Sequence, residues 1–413
     1  MRNLFLITTS LLIFSSCHSN NEYKKRAEDT FIGFKEIIKN PDSIPEITVS
    51  PDNMQVIEIP SDINKTSLNL DAIIDSVYYI KLETNPDCLI GSIDKILFFN
   101  DKILIIENLQ RKSVLMFNDN GKFVKKIGTE GRGPGEYVTI RDVALDINNK
   151  SIVFLDDYGG KLLFYDLDGN FVNHKKLYYY PTAFSILNDD SYLFYQGRSI
   201  NIHIPAITEY NLLFSKSDQS ISGKAISYSY RNKYKSFSMG SLHSFNASEN
   251  GVMFCPPYAN EIYKITMRNN VVEKYALNIG PKDVLKAMGP STTNDDFTNL
   301  LNTGNYYYFD GPAIESDNFL YFYIGLGGDC FFSKKTKKLF YGNSYRSNPE
   351  STKVLSYTKP ITVKNNYFVS IILPNRLVKG LKYRKTNEFL QKVINNLHEE
   401  DNPILFFYTL KNL

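Results

Sequence analysis

The side chains best suited to chemistry are scattered along this chain, and none has the spacing of a metal or redox site. No two of the five histidines are spaced as HxxxH, and there is no CxxC pair, so neither a zinc site nor a redox dithiol is indicated. The glycine-rich residues 125–137 (KKIGTEGRGPGEY) lead into an extended run and not into a helix, which argues against a phosphate-binding loop. The histidines are His18, His174, His203, His243 and His398.

The charged residues in and after the glycine-rich stretch are candidate ligand contacts. Arg132 and Glu136 flank its Gly-Pro core, and a guanidinium there offers a planar fork for a carboxylate or phosphate. Arg141 and Asp142 begin the strand that follows. The alternative is that these four side chains only hold the loop and its neighbouring strands in place, and this alternative is favoured for Arg132 and Glu136.

Four aspartates could approach one another if they lie at the ends of adjacent strands. They would offer oxygen ligands of the kind that calcium prefers. Aspartates at strand ends more commonly bind the backbone of turns, so we expect no metal or other cofactor. The four are Asp142, Asp146, Asp156 and Asp157.

Two aromatic stretches have a composition suited to contact with a protein or a glycan. Residues 228–237 (YSYRNKYKSF) include Tyr230 and Arg231, and residues 306–309 (YYYF) include Tyr308. These side chains could equally belong to strand interiors, because alternation along a strand turns half of them inward whatever the function.

Charge and aromatic composition exclude two classes of protein. With 47 basic and 44 acidic residues the net charge is only +3, so no basic footprint for nucleic acid is present. There are 29 Tyr and 28 Phe but no Trp, which favours pleated strands and excludes repeats that carry a Trp-Asp pair.

The N-terminus predicts a lipoprotein signal over residues 1–17. Arg2 precedes an apolar run, residues 4–14, which is too short to span a bilayer, and FSSC at residues 14–17 resembles a lipobox. Cys17 would then carry the acyl chains that anchor the protein in the membrane. Few acidic residues follow Cys17, so we expect the outer membrane, with the folded part in the periplasm. The alternative is a plain signal peptide with an incidental cysteine.

The other cysteines are expected to be buried as small hydrophobic side chains. Cys88, Cys255 and Cys330 are an odd number, so at least one thiol has no partner within the chain.

Residues 18–75 are predicted to be a tether. Phe31, Phe34, Ile37 and Ile38 have helical spacing, which predicts a short amphipathic helix over residues 22–40. Packing of this helix on the folded domain, or a partly ordered stalk, is favoured over contact with the membrane or a partner. Four prolines then punctuate a linker.

Residues 76–413 read as short strands separated by turns, in repeating units. Residues 114–117 and 121–124 align on residues 162–165 and 169–172, both at an offset of 48 (162 − 114 and 169 − 121). We therefore predict an all-β, six-bladed β-propeller of four-stranded blades, in which the strand over residues 77–84 completes the last blade. A helical stripe predicts a short insertion over residues 386–400.

The first repeat resembles the NHL repeat. Its residues are VLMFNDNGKF at 114–123, KIG at 126–128 and GRGPGEY at 131–137, and they are similar to the six-bladed propeller lipoproteins of Bacteroidetes. The resemblance departs at residues 140–142, where this chain has Ile-Arg-Asp in place of Pro-x-Gly. It implies a binding platform with no defined reaction.

The expected function is therefore a lipid-anchored binding protein of the cell envelope, without catalysis, that presents one propeller face to a protein or glycan. The alternative is an enzyme of the lyase or lactonase type with its site in the central channel, as in other six-bladed propellers. A purely structural envelope component is a third possibility.

Overall fold

The structure, a computed structural model, describes residues 20–38, 43–50, 54–197, 201–227, 245–248, 251–257, 259–268, 270–289, 292–346, 358–381 and 388–412. Within these residues the regular structure is mainly β, with a few short helices. The predicted all-β class is confirmed.

Before the first blade the chain forms two helices, four strands and one further helix turn. These elements are α1 (Asn20–Thr30), α2 (Phe34–Ile37), β1 (Val49–Ser50), β2 (Gln55–Glu58), β3 (Ser67–Asn69), α3 (Leu70–Ile73) and β4 (Ile74–Lys81). The predicted helix over residues 22–40 is thus two helices, separated around Gly33, which has a φ of 89° and a left-handed backbone.

Five blades, not six, are built from consecutive strands. Blade 1 is β5 (Lys95–Phe99), β6 (Lys102–Glu107), β7 (Ser113–Asn118) and β8 (Phe123–Ile127). After β9 (Thr129–Glu130) and β10 (Glu136–Tyr137), blade 2 is β11 (Asp142–Asp146), β12 (Ser151–Asp156), β13 (Lys161–Asp166) and β14 (Phe171–Lys176). Blade 3 is β15 (Ala183–Asn188), β16 (Ser191–Tyr195), β17 (Tyr210–Lys216) and β18 (Ile221–Ser227).

The next two blades depart from four strands. Blade 4 is β19 (Phe245–Ser248), β20 (Gly251–Phe254), β21 (Glu261–Thr266) and β22 (Val271–Asn278), and β1 and β2 add to its outer edge to give six strands. Helices α4 (Val284–Ala287) and α5 (Asn294–Asn302) precede blade 5, which is β23 (Tyr308–Phe309), β24 (Ile314–Glu315), β25 (Phe319–Gly325), β26 (Gly328–Ser333) and β27 (Leu339–Gly342). Its inner strand is split in two around Gly311-Pro312, so this sheet has five strands.

The remaining large sheet joins the two ends of the chain. After β28 (Ser344–Arg346) come β29 (Pro360–Lys364), β30 (Tyr367–Ile372), α6 (Pro374–Leu381), α7 (Glu388–Ile394) and β31 (Ile404–Leu410). The order of this closing sheet is β29-β30-β31-β4, so the early strand β4 completes it as predicted. The helical insertion is also found, with α6 preceding the predicted part.

The main hydrophobic core lies between sheets, in six clusters that each combine two neighbouring sheets, and a smaller seventh cluster joins α4 and α5. One cluster packs Ile105 of blade 1 against Phe407 of the closing sheet, so the sheets form a ring. Such packing buries both faces of the second strand of a blade, which explains unbroken apolar runs such as that of β6. The fold is a β-propeller.

Residues 43–50 and 54–73, here called the belt, run along the outer edges of successive sheets. Ile47 lies against Gly223 of blade 3, β1 and β2 pair with β22 of blade 4, and β3 pairs with β28 beyond blade 5. The belt covers strand edges that would otherwise be open to solvent. The domain boundaries at residues 17 and 75 stay a prediction.

Candidate binding face

The face of the ring on which the inner strand of each blade begins is called the upper face. The crossovers between blades and the loops between the second and third strands of each blade lie on this face, because neighbouring strands in a blade are antiparallel. Most residues predicted to contact a ligand are on this face or on the crossovers that lead to it.

Glu136 shapes the crossover between blades 1 and 2. Its Oε2 accepts a hydrogen bond from the backbone N–H of Gly133 at 2.7 Å, and it packs so closely on Gly131 that no Cβ fits there. The strands β9 and β10 pair within the same loop. Glu136 therefore acts on its own loop. Arg132 is exposed and makes no ion pair with any residue that the structure describes.

Arg141 and Asp142 hold neighbouring blades together. Arg141 Nε donates to the backbone carbonyl of Thr182, before blade 3, at 3.2 Å, and lies 3.8 Å from Asp157 Oδ2. Asp142 Oδ1 pairs with Lys95 Nζ of blade 1 at 2.7 Å, and its Oδ2 accepts from the N–H of Phe184 in blade 3 at 3.0 Å. The buried Asp142 thus links three successive inner strands, and only Arg141 keeps a partly exposed guanidinium.

The other aspartates of the predicted cluster bind turns. Asp156 accepts from the backbone N–H groups of Val138, Thr139 and Gly159, and Asp146 accepts from the N–H of Asn149. These are the turn contacts that the alternative interpretation predicts. In the described ranges no three acidic, histidine or cysteine side chains are grouped so as to hold a metal ion.

Tyr308 belongs to a group of ionisable side chains at the upper end of blade 5. It packs on Gly325, and burial, with smaller contributions from Asp310 and Tyr323, raises its pKa to about 12. Burial also raises the pKa of Asp310, an effect that Lys359 partly offsets. The Asp310 carboxylate accepts no hydrogen bond from any residue that the structure describes. Sequence reasoning missed Asp310, because a single aspartate before Gly-Pro carries no motif.

Exposed apolar side chains recur at one position on the upper face. Leu109 (66% exposed), Tyr158 (82%), Leu326 (48%) and Leu373 (39%) each lie between the second and third strands of a different sheet. A face on which exposed apolar side chains recur in equivalent loops is a candidate docking surface. The first three could have been found from the sequence, because each is the one apolar residue of a short turn.

Three of the predicted residues lie outside the described residues. They are Cys17, Tyr230 and Arg231. Among the described helices, none is long and apolar enough to cross a membrane.

The ring, its six interleaved cores and its loop-bearing upper face define the class of protein as a β-propeller. Residues 54–409 match the family described as a domain of unknown function, DUF4934, and the chain belongs to this family. No curated protein matches the sequence.

Two solved structures from Bacteroides are similar to this chain. An exported protein of Bacteroides fragilis, BF0058, has a TM-score of 0.71 at 20% identity, over 87% of this chain and 100% of its own. A member of the DUF4221 family from Bacteroides vulgatus has a TM-score of 0.44 at 10% identity, over 82% of this chain and 97% of its own. The first likeness supports the propeller fold, and neither shows a function. The NHL-like character of the repeats stays a prediction.

Proposed function

We propose that this protein is a non-catalytic binding protein of the cell envelope, anchored by lipid at Cys17, whose upper face docks a protein partner. We also propose that the closing sheet is a sixth blade, so that the ring is a six-bladed propeller. The observation that carries the proposal is the set of exposed apolar side chains in equivalent upper-face loops. The exported neighbour BF0058 is consistent with an envelope location.

The chemistry of the face favours a protein over a glycan. Three of the four recurring side chains are leucines, and exposed Arg132 and partly exposed Arg141 add guanidinium groups. Of these residues, Tyr158 and the two arginines are of types that are enriched at protein interfaces, where apolar residues lie inside a polar rim. The carboxylates of Glu136, Asp142 and Asp156 do not compete with this role, because they bind the protein's own backbone.

Site-specific photocrosslinking in native membranes tests this proposal. A photoreactive amino acid at Tyr158 is expected to capture one discrete protein. The matched control is the same substitution at Ile147, which is 55% exposed in the same blade but lies on the opposite face. Capture should be lost when Leu109 is changed to Asp. Equal capture from the two positions, or capture from neither, would exclude the upper face as a docking site.

A channel-sited enzyme is the second candidate, and Asp310 is the observation that favours it. A half-buried carboxylate with a raised pKa and no hydrogen-bond donor among the described residues is suited to general acid–base work. Lys359, whose ammonium lies over the ring of Tyr323 nearby, would supply a positive charge. This candidate requires measurable turnover of a substrate. The substitution Asp310→Asn should abolish that turnover and leave the melting temperature unchanged. A partner captured at Tyr158 without any such turnover favours the binding role.

A further inference from the structure

The N-terminal helices are docked on the propeller by aromatic side chains. Phe31, between α1 and α2, is 1% exposed, and its ring stacks on His203 with centroids 5.1 Å apart. The Phe31 and Tyr180 rings make a T-shaped contact with centroids 4.4 Å apart, and Phe34 and His203 make another with centroids 5.1 Å apart. All of these side chains except the half-buried Tyr180 are buried. Such close aromatic packing holds the helices in one place.

The docking place is the rim of the upper face between blades 2 and 3. Tyr180 lies in the crossover from blade 2 to blade 3, and His203 lies in the loop between the second and third strands of blade 3. Lys176, the last residue of β14, donates from Nζ to the backbone carbonyl of Ile32 at 3.0 Å. The start of the described chain is therefore fixed at this rim.

Chain geometry then limits how far the rim can be from Cys17. The step from Cys17 to Asn20 spans three peptide units, or at most about 11 Å. Helix α1 has 11 residues and a length of about 16 Å. The sum is about 27 Å, whereas a free tether over residues 18–75 would reach on the order of 200 Å.

We infer that α1 and α2 form a short strut, which holds the blade 2–blade 3 rim of the upper face close to the membrane surface. This inference rests on the proposed lipidation of Cys17. The sequence of the strut, residues 20–37, contains four basic and four acidic residues, so the bilayer contact is set by the short distance from Cys17 and not by a net charge. A protein that docks at Tyr158, in blade 2, must then itself lie at the membrane surface.

Fluorescence energy transfer to labelled lipid tests the strut. The chain contains no Trp, so Ile32→Trp (72% exposed) and Met267→Trp (43% exposed) each give a single donor in the full-length lipidated protein on vesicles. Met267 lies at the lower face of blade 4 and is the control position. A dansyl-labelled phospholipid is the acceptor. Transfer from the donor at residue 32 is expected to exceed transfer from the donor at residue 267.

A lengthened tether gives the matched comparison. About 20 Gly/Ser residues inserted between Ser19 and Asn20 add roughly 25 Å of flexible chain, and the difference between the two donors should be lost. Equal transfer from both donors without the insertion overturns the strut. The Cys17→Ser protein separates the two proposals. If the Cys17→Ser protein leaves the vesicles, and the two donors in the lipidated proteins transfer equally, the anchor stands and only the strut fails. If it stays bound, both the anchor and the strut fail.

Discussion

Removing the Phe31 ring should release the N-terminal helices from the propeller while leaving the ring of blades intact. The side chain is 1% exposed and contacts His203 and Tyr180, so Phe31→Ala is expected to cost about 3–5 kcal/mol at its site. Among the side chains that the structure describes, the helices contact the blades at one rim, so the structure is expected to relax by undocking. At 1.36 kcal/mol per factor of ten, this corresponds to an increase of roughly 10²–10⁴-fold in the undocked population.

Limited trypsin digestion measures that population. Lys24, Lys25 and Lys35 are exposed cleavage sites on the helices, and cleavage there should accelerate in Phe31→Ala while the propeller fragment persists. Ile32→Ala is the matched control, because the neighbouring side chain is 72% exposed and should leave the rate unchanged. An unchanged rate in Phe31→Ala, or digestion of the blades at the same rate as the helices, would refute the reasoning.

Burial lowers the pKa of His203 below its ordinary value, and the Tyr178 carbonyl and Glu28 oppose this with smaller effects. As the pH falls, the imidazole therefore takes up a proton in the unfolded chain before it does so in the folded protein. The stability from His203 is therefore complete above about pH 6.5 and is lost below it, and thermal melts from pH 7.5 to 5 should show a slope that His203→Gln reduces. Asp142→Ala removes the carboxylate that pairs with Lys95 and accepts from the Phe184 N–H, and should cost about 3 kcal/mol, whereas Arg132→Ala should change the melting temperature little. Cys88, Cys255 and Cys330 are free thiols, and burial raises the pKa of Cys255 to about 12. A thiol reagent should therefore react slowly with these thiols in the native protein, and quickly with all three once the protein is denatured.

The repeat in the first two blades was predictable from the sequence, because turn residues and strands recur in fixed order. The same offset holds in the structure, where β7 and β13 begin at the equivalent Ser113 and Lys161, and β8 and β14 at the equivalent Phe123 and Phe171. Closure by an early strand also followed from the need to protect strand edges. Parallel pairing of β1 and β2 with β22 was not predictable, because it joins segments that three whole blades separate along the chain.

The site was less predictable than the fold. A charged residue at the start of a strand gives the same sequence pattern whether it contacts a ligand or the next blade. Asp142 contacts Lys95 and the Phe184 N–H only because the ring brings three blades together. The exposed apolar side chains of the upper face were partly predictable. Leu109, Tyr158 and Leu326 are each the one apolar residue of a short turn, whereas Leu373 stands out only once its exposure is known.

The closing sheet also sets when the ring can form during synthesis. Lys81 of β4 pairs with Ile404 of β31, so every blade must be made before this strand finds its partner. Bringing such distant segments together is slow because loop closure costs entropy before the contacts repay it. Until then Tyr78 and Tyr79 lie on an unpaired strand whose eventual partners, Phe406 and Phe407, have not left the ribosome. The nascent chain therefore depends on being shielded from other chains until its last strand arrives.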